Sequence, residues 1–308
     1  MSRPLRIEYP GACYHLTARG DGKDNIFLDD SDRNCFLELL GQEVEQQQWI
    51  CYAYCLMDNH YHLLVETPEG SLVKGMRRLN GSYTQGFNHR HGYVGHVFQG
   101  RYKSIVVEKD AYLLELVRYI ALNPVRAGMV EAPEAYIWSS YRSSAGLVAS
   151  PPWMALQQLM KYFGDEKSYA RFVLDGMNTA SPWDELHGQI WLGREAFLEQ
   201  MQRQVPVDGV ANIPKVQLQP ARPTADGVLG TVAGYFSCDV ESVLSRSHRK
   251  AYAFSVVLLR RVVNLSVGDV AALFGISVSR VSQIQRELLG SHHANEVAEL
   301  AEKCRLKN

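Results

Sequence analysis

Residues 57–66 read MDNHYHLLVE, a run rich in aromatic and branched side chains that predicts a β-strand. Successive side chains of a strand point to opposite faces, so His60 and His62 are expected on the same face. Two imidazoles on one face make half of a divalent-metal site. The preceding residues, 49–57, predict another strand, and Asp58-Asn59 predicts a tight turn, so the sequence indicates a hairpin here.

Strand and helix patterns alternate through the first half of the chain. Further strands are predicted at 13–17 and 104–108, and helices at 31–48, 71–88 and 110–123, where Pro124 is expected to end the last helix. Hairpin-linked strands interleaved with helices are typical of an α+β fold. We therefore predict a mostly antiparallel sheet with helices on one face.

Composition divides the 308 residues into four segments. We expect the α+β domain at 1–147, a helical accessory region at 148–204, a linker with four prolines at 205–224, and an all-helical domain at 225–308. Neither an apolar leader nor an 18-residue apolar run is seen, so no signal peptide or membrane span is predicted.

Charge is unevenly distributed, although the net charge is only −1. Residues 70–107 contain six Lys or Arg and no carboxylate, and residues 242–308 contain ten Lys or Arg against five Asp or Glu. Basic regions in an otherwise neutral chain suit a polyanion, although each region alone is also explained as a solvated face. Six cysteines without a C-x-x-C pair favour a reducing cytosol and predict a cytoplasmic protein.

Residues 266–288 predict a helix-turn-helix. Ala271 lies four positions before Gly275, which permits a sharp turn, and Ser277 is suited to cap the next helix. That second helix would present Arg280, Gln283 and Arg286, whose donors suit phosphates and base edges. An αα-hairpin without a ligand is the alternative.

Tyr119 and Asn123 lie four residues apart on a predicted helix, so both side chains face one side. Asn123 offers an amide oxygen that would complete a mixed nitrogen and oxygen site with His60 and His62. Such a set suits Mg²⁺ or Mn²⁺ with water filling the remainder, and it does not resemble a closed tetrahedral zinc site. A tyrosine beside such a site indicates phosphoryl transfer on nucleic acid.

Four blocks of this sequence resemble the single-tyrosine HUH transposases, and most closely the REP-associated tyrosine transposases of bacteria. They are PGACYHLTARG at 10–20, LMDNHYHLLV at 56–65, FQGRYKS at 98–104 and YIALNPVRAG at 119–128. The resemblance covers about the first 145 residues and implies a ferredoxin- or RRM-like HUH domain. It also implies metal ligands at His60, His62 and Asn123, a nucleophile at Tyr119, and hairpin-forming single-stranded DNA as substrate.

The proposed DNA contacts are less sharply defined. Lys74, Arg77 and Arg78 on one helix, with Arg101 and Lys103 beyond it, would suit a track of phosphates. Residues 225–308 resemble the DNA-binding domain of the replication initiator DnaA, which implies duplex DNA as a further partner. The sequence leaves open a monomer or a homodimer.

Three functions remain to be separated. The first is a metal-dependent enzyme that nicks and transfers single strands through a 5′-phosphotyrosine. The second is a regulator that binds palindromic DNA without cutting it, for which the helix-turn-helix and its basic helix argue. The third is a hydrolase that uses water and leaves free 5′-phosphate ends.

Overall fold

The computed structural model describes residues 5–177, 179, 182–205, 213, 217–218, 223–263, 265–290 and 293–306. The chain divides into two compact units, Met1–Pro220 and Ala221–Asn308. Each unit is described by itself.

Six strands form one sheet in the first unit: β1 Ala12–Arg19, β2 Ile50–Leu56, β3 His60–Thr67, β4 Lys103–Val107, β5 Leu186–His187 and β6 Trp191–Leu192. Their order is β2-β3-β1-β4-β6-β5, and every pairing is antiparallel except β4 with β6. β2 and β3 are joined by Asp58 and Asn59, the predicted hairpin turn. The central position of β3 and β1 places the two predicted histidines deep in the unit.

In the described part of this unit, seven helices accompany the sheet: α1 Asp30–Gln46, α2 Leu72–His91, α3 Lys109–Arg126, α4 Tyr141–Ser144, α5 Leu156–Phe163, α6 Glu166–Asp175 and α7 Glu195–Gln202. Single 3₁₀ turns lie at Asp21–Lys23, Pro133–Ala135 and Pro182–Glu185. The α+β class predicted from the sequence is confirmed.

The helices cover both faces of the sheet, which corrects the prediction that they lie on one. On one face, Tyr61 packs against Phe36 of α1 and donates a hydrogen bond to Asn80 Oδ1 of α2 at 2.7 Å. On the other face, Leu64 packs with residues of α3 such as Ile120. Along β3, Tyr61, Leu63 and Val65 point to one face and His62 and Leu64 to the other. Both sets are buried, so each face needs a covering layer.

Helix α3 continues past Pro124, contrary to the prediction that it ends at Asn123. Proline removes one helical hydrogen bond, the one that Ile120 would accept, but the next turn still closes, because the Ala127 amide donates to Asn123 O at 2.9 Å. The last turn of a helix tolerates this loss. Asn123 therefore sits within regular helix, one turn beyond Tyr119.

Residues 148–204 lie in the first unit. The sequence predicted a helical region here, but the structure contains strands as well as helices. These residues contribute α5, α6 and α7, but also the short pair β5 and β6, which extends the sheet through two parallel ladder positions on β4. Two-residue strands carry too little periodicity to be recognised in a sequence. The expected linker, 205–224, lies mostly outside the described residues.

The second unit, as far as it is described, consists of helices: α8 Ala225–Tyr235, α9 Val240–Leu244, α10 Arg249–Leu258, α11 Val267–Phe274, α12 Val278–Leu289 and α13 Ala294–Leu306. A π-helical turn, Leu259–Val263, continues α10. Ser266 and Asp269 form a reciprocal capping box at the start of α11, and Gly275 ends that helix at φ 58°. Ser277 then caps α12. α11 and α12 are thus joined by the glycine turn that a helix-turn-helix requires.

None of the described helices is long and apolar enough to cross a lipid bilayer.

Candidate active site

His60 and His62 lie on the face of β3 that α3 covers, with their ring centroids 4.9 Å apart. Tyr61 between them points to the opposite face and is fully buried. His62 is only 7% exposed, while His60 at the strand end is half-buried. The strand alternation predicted from the sequence therefore sets both imidazoles on one surface.

Tyr119 and Asn123 approach this surface from α3. The Tyr119 ring centroid lies 6.0 Å from that of His62, in an edge-on arrangement. Asn123 is buried, and its amide nitrogen has no hydrogen-bond partner. A buried amide donor without a partner is costly, and such a group is commonly kept for a ligand that accepts a hydrogen bond. The structure therefore brings the tyrosine and one histidine into ring contact, with Asn123 one turn further along α3.

Both histidines use the same ring nitrogen for hydrogen bonding within the protein. Nδ1 of His60 lies 2.7 Å from Oδ1 of Asn59, and Nδ1 of His62 lies 2.9 Å from Nε2 of His15. This arrangement leaves Nε2 of each ring available for a ligand. Burial lowers the pKa of His60, with a further contribution from Arg19, and it lowers that of His62 well below its usual value. Neutral imidazoles are the form that binds metal.

The donor set fits a hard divalent ion better than zinc. Among the described residues, no three His, Cys, Asp or Glu side chains are grouped as metal ligands. The remaining candidates are the two histidine Nε2 atoms and the amide oxygen of Asn123. Mg²⁺ or Mn²⁺ tolerates such a mixed nitrogen and oxygen set with water completing the shell, whereas a structural zinc site is a closed tetrahedral set.

His15 on β1 is a site residue that the sequence analysis missed. It is 2% exposed, and its ring is stacked on that of His62 with centroids 5.1 Å apart. Burial lowers the pKa of His15 to about 3, helped by the charge of Lys103, so the ring is neutral. The only signal in the sequence is a histidine within a strand pattern, because the pairing of β1 with β3 joins residues 47 positions apart.

The hydrogen bond between His15 and His62 constrains where the protons lie. For Nε2 of His62 to offer a lone pair, its proton must be on Nδ1, which then donates to Nε2 of His15. His15 must in turn carry its proton on Nδ1, a buried atom without a hydrogen-bond partner. When Nε2 of His62 binds a metal, His15 therefore acts as the acceptor that orients His62 and holds it in the required tautomer.

Trp183 and Arg126 also surround Tyr119. The Trp183 ring centroid lies 5.1 Å from that of Tyr119 and 4.8 Å from that of His15. The guanidinium carbon of Arg126 lies 5.2 Å from the centre of the Tyr119 ring. Trp183 comes from the 3₁₀ turn Pro182–Glu185, more than sixty residues away along the chain, so local pattern could not identify it.

The predicted DNA-binding residues of the first unit are divided between the two faces of the sheet. Lys74, Arg77 and Arg78 are exposed on α2, on the face opposite to the histidines, and Arg78 is paired with Glu43 at 3.2 Å. Lys103 pairs with Thr17 in the sheet, and its charge acts on His15, so it belongs to the histidine face. Arg101 is exposed in the loop before β4. These residues do not form one continuous track on the histidine face.

In the second unit, Arg280, Gln283 and Arg286 are all exposed on α12, as predicted. Glu287 lies among them. It accepts a hydrogen bond from Gln283 at 2.7 Å and lies 3.9 Å from Arg280. This carboxylate reduces the positive charge of the surface that the sequence analysis assigned to DNA.

Comparison with known proteins finds a similarity in the first unit. Residues 9–123 match the model of a family described as "Transposase IS200 like". The predicted resemblance to single-tyrosine transposases is thereby confirmed for these residues. The chain is also similar to a solved structure described as the REP associates tyrosine transposase bound to a REP hairpin. The identity is 18%, the TM-score is 0.42, and the match covers 49% of this chain and 89% of that one. No curated protein gives a significant match.

Proposed function

We propose that this protein nicks hairpin-bearing single-stranded DNA and transfers the cut strand, with Tyr119 as the nucleophile and Mg²⁺ or Mn²⁺ as cofactor. The observation that supports the proposal is the edge-on contact between the rings of Tyr119 and His62. His60 shares the face of His62 on β3, and Asn123 lies one helical turn from Tyr119. The hairpin substrate rests on the resemblance of four sequence blocks to REP-associated transposases.

The chemistry is a transesterification. The phenolic oxygen of Tyr119 attacks the scissile phosphorus, the bond from phosphorus to the 3′ oxygen breaks, and that oxygen takes up a proton as it leaves. The phenolic proton passes to water. The products are a 5′-phosphotyrosine and a free 3′-OH. Because the ester energy is kept in the covalent link, a second 3′-OH can attack it and join strands without ATP.

The surrounding residues support this attack in different ways. A metal held by His60, His62 and Asn123 would neutralise charge on the scissile phosphate and make phosphorus more electrophilic. Arg126, 5.2 Å from the Tyr119 ring, offsets negative charge that develops on the phenolic oxygen. Trp183 shields the same ring from solvent on another side. His15 orients His62.

The test is a denaturing gel shift with hairpin-bearing single strands taken from the DNA that flanks the gene. Wild type, Tyr119→Phe and Tyr112→Phe are each incubated with Mn²⁺ and with EDTA. Tyr112 is the matched control because it lies two turns before Tyr119 on α3, with its hydroxyl bonded to Glu185. A metal-dependent covalent band in wild type and Tyr112→Phe, lost in Tyr119→Phe, supports the proposal.

The same assay separates the alternatives. A regulator that binds palindromic DNA without cutting it gives a native-gel shift with no covalent band in any variant. A hydrolase that uses water gives cut strands with free 5′-phosphate ends, and Tyr119→Phe cuts as well as wild type.

Duplex DNA is proposed as a further partner, bound by α12 in the second unit. A cytoplasmic location and a monomer or homodimer are also proposed, and both rest on the sequence alone.

A further inference from the structure

A cavity lies in the first unit, on the sheet face opposite to the histidines. Its volume is about 660 Å³, and its wall is formed by α2, by the loop from His96 to Tyr102, and by Arg6. This volume is within the range of small-molecule sites and large enough for a nucleotide. Nothing in the transesterification described above uses it.

The wall of this cavity carries positive charge and no carboxylate. Arg6, Arg77 and Arg101 all line it, and among the described residues none of the three forms an ion pair. Glu8, whose charge acts on Arg6 and Tyr102, accepts a hydrogen bond from the backbone of Val73 at 2.8 Å. By contrast, the adjoining cavity has Asp21 and Asp24 in its wall. The Arg6 guanidinium donates a hydrogen bond to the Tyr102 carbonyl at 3.4 Å, whereas Arg77 and Arg101 are exposed and without an ion pair among the described residues, which suits an anionic ligand.

The rest of the wall is apolar and aromatic. Met76, Phe98 and Tyr102 are buried, and each contributes to the cavity lining. The Arg6 guanidinium stacks over the Tyr102 ring at 4.0 Å, and the Tyr102 hydroxyl is buried without a hydrogen-bond partner. An apolar wall with an unsatisfied hydroxyl suits a ring that has flat apolar faces and polar edges. Nucleobases have both features.

The backbone links this cavity to the histidine end of the sheet. His60 on β3 pairs with Arg19 on β1, and the next position, Gly20, forms an isolated bridge with Phe98. The Gln99 amide also donates to Arg19 O at 2.8 Å. Two neighbouring-strand spacings therefore separate His60 from the cavity loop, a distance of roughly 10 Å. A strand that joins the cavity to the histidines also has to pass around this end of the sheet, because the two lie on opposite faces.

We infer that this cavity binds one unpaired nucleotide of a single DNA strand, its base against the apolar wall of the cavity and its phosphate at Arg77 and Arg101. The inference rests on the proposed function for the identity of the strand, because the same polymer would continue to the histidine face. It adds a subsite that holds the strand without taking part in the chemistry.

Two glycines on α2 make a sharp test possible. A Cβ added at Gly81 meets no atom within 4 Å and would extend into the cavity, whereas one at Gly86 also meets none but lies outside the lining. Gly81→Leu therefore fills the cavity, and Gly86→Leu is its matched control. Both changes replace a helical glycine by a better helix former, so neither is expected to unfold the protein.

The experiment measures the affinity for fluorescein-labelled dT, dA and dC oligonucleotides of about twelve nucleotides, the size of a single-strand site. The full chain with Tyr119→Phe is used in EDTA, so that no cleavage occurs. We expect Gly81→Leu to weaken binding at least about tenfold, the effect of losing one stacked base. Gly86→Leu should stay within about twofold, and Tyr102→Phe should weaken binding by a smaller factor than Gly81→Leu.

Equal binding by Gly81→Leu and Gly86→Leu would overturn the subsite. If those variants, with Tyr119 restored, still formed the covalent adduct, the proposed function would stand without it. A chain that binds no single strand at all would overturn the subsite and the proposed substrate together.

Discussion

His15 and His62 are joined through their rings, with Nε2 of the first 2.9 Å from Nδ1 of the second. A histidine that binds metal usually donates its second ring proton to a carboxylate or a carbonyl, and here the acceptor is a neutral imidazole. In the proposed metal site, His15 would act through His62 and would not be a ligand itself.

Replacing His15 is therefore expected to weaken metal binding. His15→Ala should lower Mn²⁺ affinity roughly 10- to 100-fold, the usual cost of losing a partner of a ligating histidine, whereas His15→Gln keeps an acceptor and should lose less. Isothermal titration calorimetry without DNA measures this directly. His89→Ala, an exposed histidine on α2, is the control. Unchanged affinity in His15→Ala would show that His62 needs no such partner.

Replacing Asn123 by an apolar residue is expected to stabilise the fold and to abolish the proposed activity. Its amide nitrogen is buried without a partner, so the similarly sized Asn123→Leu should raise the free energy of unfolding by about 1 to 3 kcal/mol. The same change should abolish metal binding and adduct formation, because the donor oxygen is lost. Urea unfolding by circular dichroism measures the first effect. A less stable Asn123→Leu protein would mean that the amide is satisfied within the fold.

Gly75 on α2 is predicted to be indispensable for packing. A Cβ at this position would overlap the indole ring of Trp49, which is buried beside the start of β2. Gly75→Ala should destabilise the protein by roughly 1 to 3 kcal/mol. Gly86→Ala on the same helix should instead stabilise it by up to about 1 kcal/mol. Thermal unfolding of both variants tests the contrast, and a neutral Gly75→Ala would contradict the close approach of α2 and Trp49.

The surface of α12 gives a prediction for duplex DNA. Glu287 accepts a hydrogen bond from Gln283 and lies near Arg280, so Glu287→Gln should strengthen duplex binding. Arg286→Ala should weaken it and lower the slope of log affinity against log salt by about one if Arg286 contacts one phosphate. Fluorescence anisotropy at several salt concentrations gives both quantities, with Glu241→Gln on α9 as control. Identical binding by all three variants would remove α12 from the DNA interface.

Local patterns account for the part of the site that the sequence predicted. His60 and His62 share a face because strands alternate, and Tyr119 and Asn123 share one because helices repeat every 3.6 residues. Both relations involve neighbours in the chain. The two-residue turn at Asp58-Asn59 fixed the hairpin in the same way.

Residues brought together by tertiary pairing were not predictable from pattern. His15 reaches His62 only through the pairing of β1 with β3, and Trp183 reaches Tyr119 from a 3₁₀ turn in a region expected to be wholly helical. The prediction that helices cover only one face of the sheet was also wrong. The alternation in β3 shows that its side chains point to two faces, but it does not show that both faces are buried. The prediction that Pro124 ends α3 was wrong for a local reason, because the loss of one hydrogen bond does not end a helix in its last turn.

The central claim is that Tyr119 becomes covalently bound to DNA. The most direct measurement is mass spectrometry of proteolytic peptides after wild-type protein has been incubated with a hairpin-bearing single strand and Mn²⁺. The account predicts one modified peptide, carrying a 5′-phosphorylated nucleotide on Tyr119, together with a free 3′-OH on the released strand. A nucleotide on another tyrosine, or cut strands with free 5′-phosphates and no modified peptide, would contradict it.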